Sequence, residues 1–459
     1  MTSQKQSQVT NEILQGNLLK LMFKLSTPGI LGTLLLSSST FVDALFAGRL
    51  IGETAVAGIS LASPLTSIIG GSAYLVGVGS ASVLSRAIGS GDINTQSKIF
   101  GNLIVIGVVI SFVLTIIGYS FGEELVIFMG GSGDVASNGA EFFKTYMLCS
   151  VFCIIAVSAN HLIKSEGRLR LSMIFAAVFV IINIILNTIF ISIFHWGIRG
   201  LALATVIAML VYCIVILTYF MSGKSSIPVH PIKLVIAVDL LPDILSVGIS
   251  ELLTPVMSLI QSFVVFQSIS RYGTQNDIAF LGVTLTLTSL AVIPLNGFTQ
   301  ALQPVIGINY GARNYDRLKK AYLTFVIGVI TLLTLFWLPL QLFPKTFLGW
   351  LLPNVTFTNS HLINFRILNL LIPIMPFISY GVVLFQSIGK GKIVAIIVIL
   401  RSLILFIPSI ITLSMFMGLN GIYYGMVLTD TIIILIALKL TVKEFHNFSH
   451  MQRKTASTT

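Results

Sequence analysis

An all-α polytopic membrane protein, with twelve transmembrane helices in two six-helix lobes related by a pseudo-two-fold axis along the membrane normal, is the fold this sequence predicts. Three observations predict it. The 459-residue chain is 55% hydrophobic and only 9% charged, with a mean hydropathy of +0.97, whereas a soluble domain carries roughly 25% charged residues. Apolar stretches of about 20 residues, long enough to cross about 30 Å of hydrocarbon, recur from end to end. A set of motifs also repeats at constant spacing in the two halves.

About twelve spans can be placed by length and apolarity. Their cores start near Leu18, Ala55, Phe100, Phe142, Leu171, Gly200, Ile244, Ile278, Ala321, Leu362, Ile393 and Gly421. The polar opening "MTSQKQSQVTNEILQGN" has neither an apolar h-region nor a small-residue cleavage site, so the first span is expected to insert as itself. The net charge of +11 is not a nucleic-acid footprint, because Lys and Arg gather in alternate connections. The clusters are Lys5, Lys20 and Lys24; Arg86 and Lys98; Lys164, Arg168 and Arg170; Lys224 and Lys233; Arg313, Arg317, Lys319 and Lys320; Lys390 and Lys392; and Lys439, Lys443, Arg453 and Lys454. That is the positive-inside pattern of a multi-pass protein of the plasma or inner membrane with both termini cytosolic. The lipid bilayer is the expected partner, nucleic acid is not, and a monomer is expected.

The repeat is arithmetic. "SRAIGSGD" from Ser85 is echoed by "GINYGARN" from Gly307, and "KSEGRLR" from Lys164 by "QSIGKGK" from Gln386. The shift 311 − 89 is 222 for the first glycine pair, and 389 − 167 is also 222 for the second. A third pair, "WGIRGLALA" from Trp196 and "MGLNGIYYG" from Met417, follows within one residue of that shift. Six spans per half, an even number, give both halves the same orientation, the plan of a secondary transporter. The expected division is an N-terminal lobe over 1–222, a cytosolic linker over 223–239 and a C-terminal lobe over 240–459. His230 in the linker reads as a solvated loop residue.

Several motifs, in order, resemble the multidrug and toxic compound extrusion (MATE) family over nearly the whole chain. Pro28 precedes Asp43 by fifteen residues in the first span, with Gly48 following. The second span ends "SRAIGSGD", and the eighth reads "TQALQPVIGINYGARN" with Gln303-Pro304 and Asn309-Tyr310-Gly311-Ala312. The tenth ends "QSIGKGK", the eleventh holds Arg401 and Pro408, and the twelfth holds Asp430. The resemblance is closest to bacterial drug-efflux members. It implies export of bulky, often cationic organic compounds from the cytosol against inward protons or sodium ions, with no cofactor. It also implies a cation or proton site at Asp43, Asn183, Asn187 and Thr205. At Asn187 the resemblance leads one to expect Asp, so one negative charge is missing there.

Residue chemistry is compatible with that site. An aspartate at the bilayer centre costs roughly 2.5 to 3.5 kcal/mol on insertion scales, so Asp43 needs a partner, a wet cavity or a task. With the first and fifth spans running outward and the sixth starting outside, all four residues fall at similar height. Asn183 and Asn187 share one helix face at i and i+4. Hard cations take oxygen ligands, and a carboxylate can exchange a proton. Without Asp43, the amides and the Thr would read as interhelical hydrogen bonding worth about 0.6 kcal/mol each. Pro28 removes a helix hydrogen bond and makes either a hinge or a static bend. Glu251 is interfacial or lines the cleft. Arg401 and Asp430 form a structural pair or part of a C-lobe polar network. With Gln303, these three make up a candidate polar or substrate-binding cleft.

Other classes fit poorly. Cys149, Cys153 and Cys213 all lie in apolar spans and read as packing. His161 stands by itself at a cytosolic span end and the other histidines lie in or near loops, so no in-membrane metal or nucleophile constellation suggests an enzyme. No "GxxxxGK" phosphate loop and no channel filter motif occurs. The serious alternative is a lipid or lipid-linked oligosaccharide flippase, which would need a strongly basic central cavity. In-span acids here slightly outnumber in-span bases.

Overall fold

The computed structural model describes residues 2–225, 227–228, 237–352 and 357–458; His230 and Lys233 lie outside them. Among these residues every regular element is helical. Ten helices are long and apolar enough to cross a membrane: Leu18–Ile51, Glu53–Ser90, Ile93–Ser120, Leu169–Ile193, Gly197–Met221, Val238–Tyr272, Asn276–Gly311, Tyr315–Leu342, Gly391–Met417 and Leu419–Arg453. Two bent pairs, Gly133–Met147 with Ser150–Ser165 (58°) and Asn359–Ile374 with Pro376–Ser387 (41°), supply the fourth and tenth spans and bring the number to twelve. The bend therefore recurs at the same place in each half. An extra helix, Thr2–Gln15, precedes the first span.

The repeat seen in sequence is reproduced bond for bond. At the end of the fourth span Gly167 N–H donates to the Lys164 carbonyl and Arg168 N–H to that of Ile163. At the end of the tenth, Gly389 donates to Gln386 and Lys390 to Phe385. Each partner is shifted by 222 (386 − 164; 385 − 163). Gly167 and Gly389 take φ of +77° and +80°, the left-handed helix ending that glycine adopts without a Cβ penalty. Asp92 caps the third span through Thr95 N–H (3.0 Å), and Asn314 caps the ninth through Arg317 N–H (3.4 Å). The cap hydrogen bonds to the exposed Asp92 hold its carboxyl below the usual carboxylate range.

One equivalent pair breaks the chemistry while keeping the geometry. Gly91 has φ +73°, and its counterpart Arg313 (313 − 91 = 222) has φ +57° with a side chain attached. Arg313→Gly is expected to raise stability in a detergent melt by roughly 0.5–1 kcal/mol, because it removes left-handed strain. A lowered melting temperature would show that the guanidinium contributes more than the strain costs.

Residues near a two-fold axis touch their own equivalents, and this locates the axis. Gln303 Nε2 donates to the carbonyl of Ala81, its counterpart at 303 − 222. Gln303 also donates to Ser85 Oγ (3.2 Å), and a Cβ on Gly307, the counterpart of Ser85, would collide with that same hydroxyl. A Cβ on Gly89 would meet the Ile308 carbonyl, and one on Gly311 would meet that of Arg86. The second and eighth spans thus cross in backbone contact at the end that carries the basic loops. Ser82 Oγ bonds the Gln386 carbonyl there, and Arg86 pairs with Asp243 at 3.2 Å. At the opposite end these spans are uncovered: Glu53, Ser60, Ser67, Gly282, Leu285 and Leu290 are exposed, whereas Gly79 to Ser85 and Ala301 to Asn309 are buried apart from Gln303. The two halves are therefore sealed together at the basic end, and these two spans are less covered at the other.

The helix Thr2–Gln15 lies under the seal. Ile13 is fully buried and approaches Gly167. Arg317 donates to the carbonyls of Ile13 (2.7 Å) and Gly16 (2.5 Å), a cation on the negative end of the helix. This short helix touches both halves.

Candidate functional site

The first, fifth and sixth spans pack together and bring Asp43, Asn183, Asn187 and Thr205 into one hydrogen-bonded cluster. Asn187 Nδ2 donates to Asp43 Oδ1 at 2.6 Å and leans on Asn183 Oδ1 at 3.3 Å. Asn183 Nδ2 donates to Thr205 Oγ1 at 3.3 Å, and Thr205 Oγ1 to the Leu201 carbonyl at 3.4 Å. A fifth member, Ser39, donates to Asn183 Oδ1 at 3.1 Å. It lies one turn before Asp43, so helical spacing could have found it. Both asparagines are fully buried, and Asp43 is half-buried. Asn187 Oδ1 is buried with no hydrogen-bond partner.

Local helix geometry marks the same level. The first span turns from α to π over Ala47–Ile51, just after Asp43, and the fifth over Thr188–Ile193, just after Asn187; the two π segments touch. Widened turns free backbone groups and often mark functional positions. The eleventh span has a third, Leu400–Leu405, containing Arg401.

The four residues expected in a C-terminal polar cleft divide between two cavities. Arg401 Nε donates to Asp430 Oδ1 at 2.8 Å, and the pair lines a mainly apolar cavity of about 390 Å³ with Phe266, Phe406, Met375 and Met426. Glu251 and Gln303 instead line a central cavity of about 330 Å³ between the halves, just above the seal. Glu251 accepts from Gln386 Nε2 at 2.6 Å. It is a cleft residue rather than an interfacial one. Pro28 is buried inside the helix Leu18–Phe46 and lines a further cavity of about 290 Å³ on the N-terminal side.

Two residues read otherwise in sequence also line the central cavity. In sequence Lys164 reads with the loop positives and His161 as an isolated span-end histidine, yet both line it, beside Tyr74. The signal was available in the repeat: Lys164 is the counterpart of Gln386 (386 − 164 = 222), and both positions face the axis.

Two helical repeats joined in close contact at one end, with a half-buried carboxylate in the polar cluster of one repeat, define a polytopic membrane transporter. The MatE family model matches residues 28–189 and 247–436, and the chain belongs to that family. Family membership makes it a transporter and not an enzyme. It is 24% identical over 427 residues to multidrug export protein MepA of Staphylococcus aureus strain MSSA476, covering 91% of this chain and 92% of that one. The MepA of Staphylococcus haemolyticus strain JCSC1435 is 22% identical over 432 residues, 92% of this chain and 93% of that one. Among solved structures, MATE in complex with MaD3S superposes with a TM-score of 0.89 at 22% identity, covering 96% and 98% of the two chains. An outward-facing multidrug resistance MATE transporter of the MOP superfamily gives 0.88 at 22% identity and the same coverage.

Proposed function

We propose that the chain exports bulky, often cationic organic compounds across the cell membrane by alternating access, in exchange for inward protons bound at Asp43. The hydrogen bond from Asn187 Nδ2 to Asp43 Oδ1 carries the proton reading. In this arrangement it points an amide N–H, the positive end of the dipole, at the carboxylate, which suits an ionised Asp43 that has released its proton. Asn183 Oδ1 already accepts from Ser39 and Asn187, which leaves it little capacity for a cation. The unpaired Asn187 Oδ1 supplies the other half of the cycle. Ionised Asp43 accepts from Nδ2; protonated Asp43 donates to Oδ1 after the amide rotates by half a turn. One side chain thus satisfies both protonation states, and the hydrogen bonds on Asn183 differ between them. That difference is what can bias two conformations. In proteoliposomes, adding a permanently cationic dye is expected to dissipate an imposed pH gradient. Transport driven by a sodium gradient and indifferent to pH would overturn proton coupling.

A flippase for anionic headgroups is disfavoured by the central cavity, where Lys164 is opposed by Glu251. The MepA relatives are named multidrug exporters, which supports the same reading. The sealed, basic end is proposed to face the cytosol, with Pro28 as the bending point of the first span. Cysteine labelling tests the orientation. Ser165 is fully buried, so the reporter belongs at exposed Arg170, and the three native cysteines are all buried. An impermeant external reagent is expected to leave Arg170→Cys unlabelled in intact cells; strong labelling would reverse the topology.

A further inference from the structure

We infer that a groove on the outer face of the N-terminal half, at the basic end of the fifth and sixth spans, is a binding site for an anionic glycerophospholipid of the adjoining leaflet. The groove holds about 770 Å³, more than twice the central cavity's 330 Å³. The fifth span gives it Leu171 and Phe175, at i and i+4. The sixth gives Val215, Thr218, Tyr219 and Ser222, which recur every three or four residues and so share one face. Phe175 and Tyr219 meet edge to face, ring centroids 5.8 Å apart, and join the two spans. Ile174, Ile214 and Met221 on these spans are exposed, the composition of a lipid-facing surface. Arg168 and Lys224 also line the groove, and no acidic residue does. Arg168 is partly committed: Nη1 donates to the Tyr219 hydroxyl at 2.8 Å and the Lys224 carbonyl at 2.7 Å, and Nε lies 3.6 Å from buried Glu166. Its Nη2 enters none of these bonds. The exposed Lys224 side chain makes no hydrogen bond or ion pair among the described residues.

Charge selects the headgroup and the apolar length selects a lipid. Glu166 answers the charge of Arg168, and nothing answers that of Lys224, so one positive charge is left over. A phosphodiester without a compensating amine supplies the missing negative charge, and its oxygens can accept from Arg168 Nη2 and Lys224 Nζ together. A zwitterionic headgroup brings an ammonium for which the groove has no acid. The flexible stem of Lys224 lets its charge sit at headgroup level. From Ser222 to Val215 the sixth span offers seven residues of wall, about 10 Å of helix, to the first part of an acyl chain. A free phosphate would leave that wall bare. Gln8 and Val9 of the helix Thr2–Gln15 complete the groove. Val9 also lies close against Gly167, next to Arg168. The other end of that helix is held by Arg317 of the C-terminal half. A lipid in the groove therefore fastens to the N-terminal half the one short helix that touches both halves.

The inference holds whatever the chain exports, and its test involves no transport. The purified full-length protein in a neutral detergent is melted with rising mole fractions of dioleoylphosphatidylglycerol or dioleoylphosphatidylcholine. The mole fraction that gives half the rise in melting temperature is expected to be lower for the anionic lipid by about fivefold or more. Lys224→Gln should bring that ratio close to one. Lys443→Gln, which removes an exposed cation at the end of the twelfth span, should keep it. Thr218→Trp puts bulk into the apolar part of the groove and should weaken the response to both lipids. Glycerophosphoglycerol, the same headgroup without acyl chains, and inorganic phosphate should give no rise at matching concentration; a rise equal to the lipid's would make this a phosphate site and overturn the lipid assignment. Equal half-points for the two lipids on wild type overturn the inference. So does an unchanged ratio in a folded Lys224→Gln, an equal loss in Lys443→Gln, or a Thr218→Trp that responds like wild type. If Lys224→Gln does not fold, the wild-type ratio and Thr218→Trp still decide.

Discussion

Asp43→Asn is expected to reduce proton-coupled export to the level of empty liposomes while leaving expression and folding near wild type. Asp43 is the only ionisable side chain in the cluster with Asn183, Asn187, Thr205 and Ser39, so its loss removes the only group there that can carry a proton through the cycle. An amide is nearly the same size, and its oxygen can still accept from Asn187 Nδ2. The hydrogen bond becomes neutral instead of charge-assisted, a loss of about 1 kcal/mol, but a half-buried charge no longer has to be desolvated, which works the other way. The measurement is collapse of a pH gradient on dye addition, with a detergent melt as the folding control. Normal dye-driven proton flux in the variant would remove Asp43 from the mechanism. A melt lowered by several kcal/mol would make its role structural.

The twelve spans and the two halves were legible because each follows from a one-dimensional regularity, whereas the four-residue cluster came from the family resemblance and depth along the helices only agreed with it. Length and apolarity give the spans, a constant shift of 222 gives the repeat, and depth along helices of known direction puts Asp43 level with Asn187 and Thr205. What the sequence hid depends on where side chains reach. Lys164 sits at the basic end of the fourth span, where a positive residue reads as a loop anchor. A helical side chain leans back toward the N-terminus of its helix, however, and the lysine stem is long enough to carry its charge into the cavity. Glu251 and Arg401 both read as C-terminal polar residues of uncertain partner. Only packing separates them, sending one to the interface between halves and the other to Asp430 on the twelfth span. The π turns after Asp43 and Asn187 carry no sequence signature of their own, and the polar opening of the chain gave no sign of the helix over Thr2–Gln15.

Asn187→Asp is expected to create a sodium response that the wild type lacks. The substitution swaps the N–H that faces Asp43 at 2.6 Å for a second carboxylate oxygen, giving a hard cation two anionic ligands beside Asn183 and Thr205. At an effective dielectric near 20, one added charge about 4 Å from the ion contributes about 4 kcal/mol, up to roughly a thousandfold in affinity. Repulsion between the two carboxylates acts in the same direction: it destabilises the empty site, and sodium or a shared proton relieves it. Because an ion that binds only the folded state stabilises it by mass action, the variant's melting temperature should rise with sodium chloride and stay flat with choline chloride. Wild type should show no such difference. Dye export by the variant should gain a sodium-gradient component and lose part of its dependence on pH. If wild type itself melts higher in sodium and the substitution adds nothing, the amide oxygen of Asn187 is already a cation ligand, and the proton assignment at Asp43 falls.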